Sequence, residues 1–282
     1  MAVNPVNGNI YVTSTTNNAV YIYNAAGTLQ TTLTGATYNF NSPDGITIDN
    51  SGNVYVGNGA GGTVKRISST GTVTTITGFT RATGLATDAA GNLYVAYFSA
   101  SAIYKIAPGG TTAGAAYISV SGPWDVAINS TGDLYVTVDG PSNNINQIYK
   151  YPSGSTTPTT VVSTGLNSPR NISIDSKGNI FFADCNNGAI KLLNTSGTVS
   201  TIVSGLNTPV GITQDASGNL FYTSFNNNLV YKSTASGYSI SPTLPAGLSF
   251  NNYTGVISGT PTVTSPATNY TVTATNGGGS ST

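Results

Sequence analysis

The chain of 282 residues contains no histidine, no glutamate and a single cysteine, Cys185. Without histidine it cannot form a histidine-dependent catalytic triad or an imidazole metal site. One cysteine also excludes an intrachain disulfide and a cysteine-rich zinc site. No basic residue lies near Cys185 in sequence to stabilise a thiolate, so we expect this side chain to fill space rather than react.

Charge of either sign is scarce as well. Nine Lys and Arg residues balance nine acidic residues, all of them Asp, and charged residues make up 6% of the chain. The residues that normally cover exposed helix faces are therefore missing, which excludes an α-rich fold. There is no basic cluster for nucleic acid and no apolar run of about 18 residues, so we predict neither nucleic-acid binding nor membrane insertion. No signal peptide precedes the first strand-like segment.

What the chain does contain is a repeat. Five segments follow one pattern, Asp/Asn-x-x-Gly-Asn/Asp followed by Val-Tyr-Val or a close variant, and they occupy residues 49–56, 88–95, 129–136, 175–182 and 215–222. Residues 5–12 open the series as a sixth copy, with Pro5 in place of the Asp or Asn. Their shared glycines are spaced 44, 39, 41, 46 and 40 residues apart. A period near 42 with several short strands per unit is typical of β-propeller blades.

Each unit is interpreted as four strands with a tight turn between the first and the second. The Asx side chain at the start of that turn can bond the backbone two residues on, and the glycine supplies a positive φ. We therefore assign a structural role to the turn residues Asp49, Asp88, Asn129, Asp175 and Asp215. A proline at positions 43, 123, 169 and 209 opens the following unit, where a strand needs no ladder donor.

Counting the units predicts an all-β, six-bladed propeller with four-stranded blades over residues 1–241. Residues 1–4 supply the first inner strand, and residues 238–241 supply the last outer strand of blade six. No strand is then shared between the two ends, so the ring closes by side-chain packing between blades one and six.

These motifs resemble the NHL repeat, whose pattern runs Pro-x-Gly-Ile, Asp-x-x-Gly-Asn-Leu-Tyr-Val-Ala-Asp and Asn-x-x-Ile. The resemblance covers about residues 1–241 and implies the propeller fold, while propellers of this kind serve many functions. The sequence departs from the pattern after the second strand, where only residues 182–184 (Phe-Ala-Asp) keep the acidic residue. Streptogramin lyases and peptide-amidating lyases are similar in fold, but their chemistry relies on histidine.

Residues 242–282 break the period. Their segments Leu-Pro-Ala-Gly-Leu (244–248) and Gly-Val-Ile-Ser-Gly-Thr-Pro (255–261) resemble an Ig-like module of bacterial surface proteins. About half of that module has no counterpart here, and residues 238–241 suit its first strand as well as the sixth blade. The tail is therefore either frayed or laid against the edge of the propeller, and the chain is interpreted as a piece of a longer secreted polypeptide or a truncated gene product.

The loop face opposite the Asx turns carries the candidate binding residues. Aromatic rings and amides around a concave rim suit a sugar or a peptide, because rings stack and amides pair with hydroxyl or backbone groups. The predicted ligand-binding set around the channel is Asp44, Arg81, Tyr97, Trp124, Asp125, Arg170, Asn171, Asp184 and Asn186. The same loops contribute Asn58, Phe98, Asp139, Asn143, Asn144, Phe225 and Asn226. Trp124 is either a stacking platform or an interblade core residue, and the two arginines either bind a carboxylate or pair with Asp44 or Asp125.

A metal site is the alternative for the same face. Gluconolactonase-like six-bladed propellers resemble this fold and hold a divalent cation with Glu, Asn and Asp, a set that cannot be copied intact without glutamate. Asp44, Asp125, Asn171 and Asp184 could still offer oxygen ligands to Ca²⁺.

The sequence therefore predicts an extracellular or cell-surface binding propeller, a monomeric module of a longer chain with a protein or carbohydrate partner and no cofactor. A divalent-cation-dependent, lactonase-like hydrolase is the alternative, and we assign no catalytic residue. The third interpretation is a purely structural repeat, which would have a channel filled with apolar side chains.

Overall fold

The fold is all-β, as predicted, and its main body is a six-bladed propeller. The structure is a computed structural model that describes residues 1–140, 145–233, 237–250, 255–276 and 279–281. Two of the predicted loop residues, Asn143 and Asn144, lie outside this part of the chain. Among the described residues, no helix has the length and apolar character needed to span a bilayer.

Five blades are four-stranded antiparallel sheets whose strands pair in chain order. Blade one contains β1 (Ala2–Val3), β2 (Ile10–Ser14), β3 (Ala19–Tyr23) and β4 (Leu29–Leu33), and blade two contains β5 (Pro43–Ile48), β6 (Val54–Asn58), β7 (Thr63–Ile67) and β8 (Val73–Ile76). Blade three contains β9 (Ala82–Thr87), β10 (Leu93–Tyr97), β11 (Ala102–Ile106) and β12 (Ala116–Ser119). Blade four contains β13 (Pro123–Ile128), β14 (Leu134–Gly140), β15 (Ile145–Tyr151) and β16 (Thr159–Val162), and blade five contains β17 (Pro169–Ile174), β18 (Ile180–Asp184), β19 (Ala189–Leu193) and β20 (Val199–Val203).

Blade six has three described strands, β21 (Pro209–Gln214), β22 (Leu220–Ser224) and β23 (Leu229–Ser233). Three short 3-10 turns follow second strands, at Phe98–Ala100, Cys185–Asn187 and Phe225–Asn227. The remaining strands are β24 (Gly237–Ser241), β25 (Leu248–Phe250), β26 (Ile257–Gly259), β27 (Thr271–Asn276) and β28 (Gly279–Ser281). They form one sheet in the order β24-β27-β28 and a hairpin of β25 and β26.

The prediction for the last outer strand is wrong. Residues 238–241 lie in β24, which pairs with β27 and not with β23. The turn glycines Gly197 and Gly237 align blades five and six, and this alignment places Pro242 where blade five has Ile202. Since proline cannot donate to a ladder and the next residue is polar, this segment lacks what a blade's outer strand needs. The chain divides into two compact units, Met1–Ala216 with Phe221–Tyr231 and Ser217–Leu220 with Lys232–Thr282.

Four of the five predicted Asx turns are confirmed by their hydrogen bonds. Asp49 Oδ1 accepts hydrogen bonds from the backbone N–H groups of Ser51 and Asn53, both at 2.9 Å. The same pair of bonds recurs at Asp88, Asn129 and Asp175. The turn glycines have positive φ, for example 79° at Gly52. These three acids and Asn129 are therefore committed to the hairpins on one face of the disc.

The core lies between blades rather than within them. Each space between blades one and five contains aliphatic and aromatic residues from both neighbours, as in the cluster of Val20 and Phe40 with Ile46 and Val56. Blades one and six meet through Ile10, Phe221 and Met1. No strand is shared between these two blades among the described residues, so closure by side-chain packing is confirmed.

Candidate functional site

The residues at the channel mouth are presented by bulges at the start of the inner strands. The pairing register shifts between Pro43 and Ile46, between Pro123 and Asp125, and between Pro169 and Ile172. A bulge re-aims the side chains that it contains. It therefore accounts for the position of four predicted residues, Asp44, Trp124, Arg170 and Asn171.

Trp124 is the centre of a stack of cations and rings. The Arg170 guanidinium carbon lies 3.4 Å from the indole centroid, and that of Arg81 lies 5.5 Å away. The ring of Phe98 meets the indole edge-on at 5.7 Å between centroids. Trp124 is buried under these groups, so the indole face that a flat ligand would stack on is already covered.

The two arginines differ in how they are paired. Arg170 Nη2 lies 3.4 Å from Asp139 Oδ2, and its Nε donates to Ser168 Oγ at 3.0 Å. Arg81 Nη2 lies 4.0 Å from Asp44 Oδ2, and about half of its side chain, 49%, is exposed. Since that contact is long and exposed, Arg81 is the more accessible of the two cations.

Two carboxyl groups in the channel have perturbed acidities. Burial raises the pKa of Asp125 to about 7, although the backbone N–H of Ile172 donates to its Oδ2 at 3.0 Å and favours the charged form. Burial also raises the pKa of Asp44, and the Arg81 charge opposes that shift. Perturbed carboxyl groups in a channel are typical of functional sites, though structural networks perturb them too.

The Asp184 carboxylate is bonded to other groups of the protein. It is fully buried, its Oδ1 accepts from the backbone N–H of Asn167 at 2.7 Å, and its Oδ2 meets Lys191 Nζ at 2.6 Å and Asn187 Nδ2 at 2.7 Å. Both oxygens are therefore occupied by protein groups. Asp184 is therefore not a free ligand that could bind a metal ion together with Asp44.

The remaining two predicted residues also have internal partners. The Tyr97 hydroxyl accepts from the backbone N–H of Thr80 at 2.9 Å, and its ring packs against Phe79. Asn186 is exposed on the Cys185–Asn187 turn, and its side chain donates to Asn167 Oδ1 at 3.2 Å. Both residues brace loops of the binding face.

The four predicted Ca²⁺ ligands do not form one donor set. Asp184 is engaged as described, and no group of three acidic or cysteine side chains suited to a metal occurs within the described ranges. Asp44, Asp125 and Asn171 remain around the channel, and a Ca²⁺ site built on them stays a prediction. The donor set does not match the Glu, Asn and Asp arrangement that the resemblance implied.

This face also contains a cleft of about 320 Å³ between blades one and six. It begins at the channel, where Asp44 and Asn171 line it, and runs outward between β3 and β23. Its walls carry rings, amides and aliphatic groups, namely Tyr21, Tyr23, Phe225, Asn17, Asn228, Leu229 and Val230. Phe225 is 52% exposed.

Sequence reasoning found Phe225 but missed Tyr21, Asn17 and the cleft as a whole. The repeat describes what is common to the blades, whereas the space between blades one and six occurs once. A signal was nevertheless present, since Pro242 and Thr243 stand where the outer strand of blade five has Ile202 and Val203.

Two family models match parts of the chain. Residues 1–83 match the SMP-30/Gluconolactonase/LRE-like region, and residues 191–282 match the Putative Ig domain. Neither match reaches half of the chain. The first agrees with the propeller and the second with an Ig-like region at its C-terminal end. No curated protein matches the chain.

Solved structures of similar fold come from proteins with different roles. Virginiamycin B lyase from Staphylococcus aureus is 19% identical with a TM-score of 0.59, and the alignment covers 80% of each chain. A gluconolactonase from Xanthomonas campestris is 15% identical with a TM-score of 0.66, covering 79% of this chain and 81% of that one. An auxiliary nutrient binding protein from Bacteroides ovatus is 15% identical with a TM-score of 0.68, covering 82% and 67%. At these identities the likeness shows the propeller fold alone.

Proposed function

We propose that the propeller is a binding module whose ligand, a polypeptide or a glycan, occupies the cleft between blades one and six and the adjoining channel mouth. One observation carries this proposal. The four spaces between blades one and five are filled by large buried apolar clusters, whereas between blades six and one a smaller cluster of Met1, Ile10 and Phe221 leaves an open cleft of about 320 Å³ beside it. A cleft of this size is within the range of ligand pockets.

The lining suits recognition rather than catalysis. Tyr21 and Phe225 offer aromatic surface, and Asn17, Asn171 and Asn228 offer amide groups. Amides and aromatic faces bind sugar hydroxyls, sugar rings and peptide backbones without any charged group. Asp44 is the one acidic group among the described lining residues, and burial raises its pKa.

Arrays of immobilised neutral oligosaccharides and of ten-residue peptides test the proposal. We expect saturable binding by the full chain and at least about tenfold weaker binding by Phe225→Ala, because an exposed aromatic anchor at a binding site contributes over 1 kcal/mol. Leu29→Ala is the matched control, since Leu29 is 48% exposed on the outer strand of blade one. Binding that Phe225→Ala and Tyr21→Ala leave intact would place the ligand elsewhere.

A second candidate is a lactonase-like hydrolase, which the match of residues 1–83 to the gluconolactonase-like family model favours. Its candidate general bases are the channel carboxyls of Asp44, whose pKa burial raises, and Asp125, whose pKa burial raises to about 7. The Asp125 carboxyl is buried and bonded to the backbone of Ile172, which argues against access to substrate.

Thermal melts with millimolar Ca²⁺ and with EDTA separate the two candidates. A specific ion at about 100 times its Kd adds roughly 2.7 kcal/mol, which for a domain of this size raises the Tm by roughly 5–10 °C. The binding proposal predicts coincident melts. A shift of that order that disappears in Asp44→Ala, together with Ca²⁺-dependent opening of a sugar lactone, would favour the hydrolase.

The finer classification and the setting are part of the same proposal. We propose that the blades are NHL-type repeats, which the recurring Asp-x-x-Gly-Asn turn supports. We propose further that the propeller is a monomeric module of an exported, cell-surface polypeptide, supported by the low charge and by the Ig-like match at residues 191–282.

A further inference from the structure

The third strand of each of blades one to five contains one aliphatic residue that the fourth strand covers. In blades one to five this residue is fully buried, with 0% of its surface exposed, and it faces an aliphatic partner across the ladder. The five pairs are Val20 with Leu33, Val64 with Ile76, Ile103 with Ile118, Ile148 with Val162, and Ile190 with Val203. Each of these five blades thus has an aliphatic contact between its third and fourth strands.

The equivalent residue in blade six is Val230. Both β19 and β23 follow a 3-10 turn that ends in a left-handed residue, Gly188 in blade five and Asn228 in blade six. Ile190 is the second residue of β19, as Val230 is of β23. Val230 is 43% exposed, and the described sheet of blade six ends at its strand.

The described sheet of blade six has no fourth strand, and this also accounts for the cleft. In four spaces between blades, the fourth strand and the connection after it supply the apolar filling, such as Leu33 with Phe40 and Ile76 with Phe79. Between blades six and one the corresponding volume is the cleft, and Val230 lies on its wall. The cleft therefore lies where the other four spaces have their fourth-strand filling, and Val230 gives it an apolar wall.

We propose that the cleft binds an extended peptide strand of a partner polypeptide, which pairs with Leu229–Tyr231 at the edge of the described sheet of blade six and places an aliphatic side chain over Val230. This inference rests on the proposed function and names its ligand class. The added strand continues the ladder of β21, β22 and β23, so main-chain bonds supply affinity and the aliphatic pocket supplies selectivity. The fourth strands of blades two, four and five give the expected pattern, Thr or Ser residues next to Val or Ile.

The fourth strand of blade five provides the sequence of a probe peptide. A labelled peptide of residues 197–204, Gly-Thr-Val-Ser-Thr-Ile-Val-Ser, contains Val203, which covers Ile190 in blade five. Titrated with the full chain, this peptide should bind saturably with a Kd below about 1 mM, as read by fluorescence anisotropy. A control peptide with Val203→Asp should bind at least about tenfold more weakly, because it would place a carboxylate over an aliphatic surface.

Variants of the chain test where the peptide binds. Val230→Asp should abolish peptide binding, whereas Leu29→Asp, at a residue of similar exposure, should leave it unchanged. The two peptides test the same contact on the unmodified chain, so the result does not depend on how Val230→Asp folds. Absence of binding at 1 mM, or equal binding of both peptides, would overturn the inference. If an oligosaccharide binds in a Phe225-dependent manner while the peptide does not, the proposed function stands and this inference fails.

Discussion

Asp125 shows how one buried carboxyl links the channel to stability. It lies in β13, its Oδ2 accepts from the backbone N–H of Ile172 in the next blade, and burial raises its pKa to about 7. An unfolded aspartate has a pKa near 3.8. Between these two values the folded chain keeps a proton that the unfolded chain has released, so stability falls as the pH rises through this range.

Asp125→Asn should therefore stabilise the chain increasingly as the pH rises. Asn retains an oxygen that can accept from Ile172 and does not ionise. We expect the free energy of unfolding of Asp125→Asn, relative to the unmodified chain, to rise by roughly 2–4 kcal/mol between pH 5 and pH 8. Urea unfolding at each pH unit measures it.

Asp133→Asn is the control for that experiment. The ion pair with Lys150, 2.8 Å between Nζ and Oδ2, lowers the pKa of Asp133 to about 2. Both the folded and unfolded pKa values then lie below pH 5, so this variant should shift stability by a constant amount from pH 5 to pH 8. A flat difference for Asp125→Asn would contradict the raised pKa.

Sequence grouped the channel residues on one loop face but could not assign their partners. The contact of Arg81 with Asp44 is one of the two alternatives that the sequence leaves open, the other being a carboxylate ligand. The stacking of Arg170 on Trp124 is not predicted from the sequence. The sequence predicts Asp184 as a ligand because it does not show that Lys191, across the ladder, reaches the Asp184 carboxylate. These contacts depend on bulges and on neighbouring strands, which a repeat pattern does not encode.

At the scale of elements, the Asx turn is the feature that sequence describes best. Asp88 accepts four hydrogen bonds, two from the backbone at Ala90 and Asn92 and two from the side chains of Asn92 and Tyr94. The corresponding turn of blade four uses Asn129 in place of the acid. The turn therefore needs the side-chain oxygen more than the charge.

Asp88→Ala should lower the free energy of unfolding by about 1–3 kcal/mol, because several donors lose their acceptor at once. Asp88→Asn should retain most of that stability, since it reproduces the turn of blade four. Denaturant unfolding of both variants is the measurement. Equal losses for Ala and Asn would show that the carboxylate charge matters more than its geometry.

The inner strands and the outer strands differ in how well they could be predicted. The prolines at 43, 123, 169 and 209 do open inner strands, as expected from the missing ladder donor. The outer strand of blade six was misplaced because its turn matches the repeat while Pro242 and Thr243 do not match the covering residues. A turn fixes where a strand begins, but cross-strand side chains decide whether it pairs.

For the whole molecule, the period of the repeat predicts the ring and its number of blades, but not the space where the ring closes. Four interblade spaces are built from repeated residues, whereas the contact of blades one and six joins Ile10 with Phe221 and leaves the cleft beside them. The central claim is that this cleft is open in the free chain and is where a ligand binds.

Hydrogen–deuterium exchange of β23 (Leu229–Ser233) against β19 (Ala189–Leu193) tests that claim most directly. In the free chain β23 should exchange faster than β19, because the described sheet of blade six ends at β23 while β20 covers β19. Adding the tightest ligand from the oligosaccharide and peptide arrays should slow exchange in β3 and β23 and leave β19 unchanged. Protection of β23 equal to that of β19 in the free chain, or slowing confined to other blades, would contradict the account.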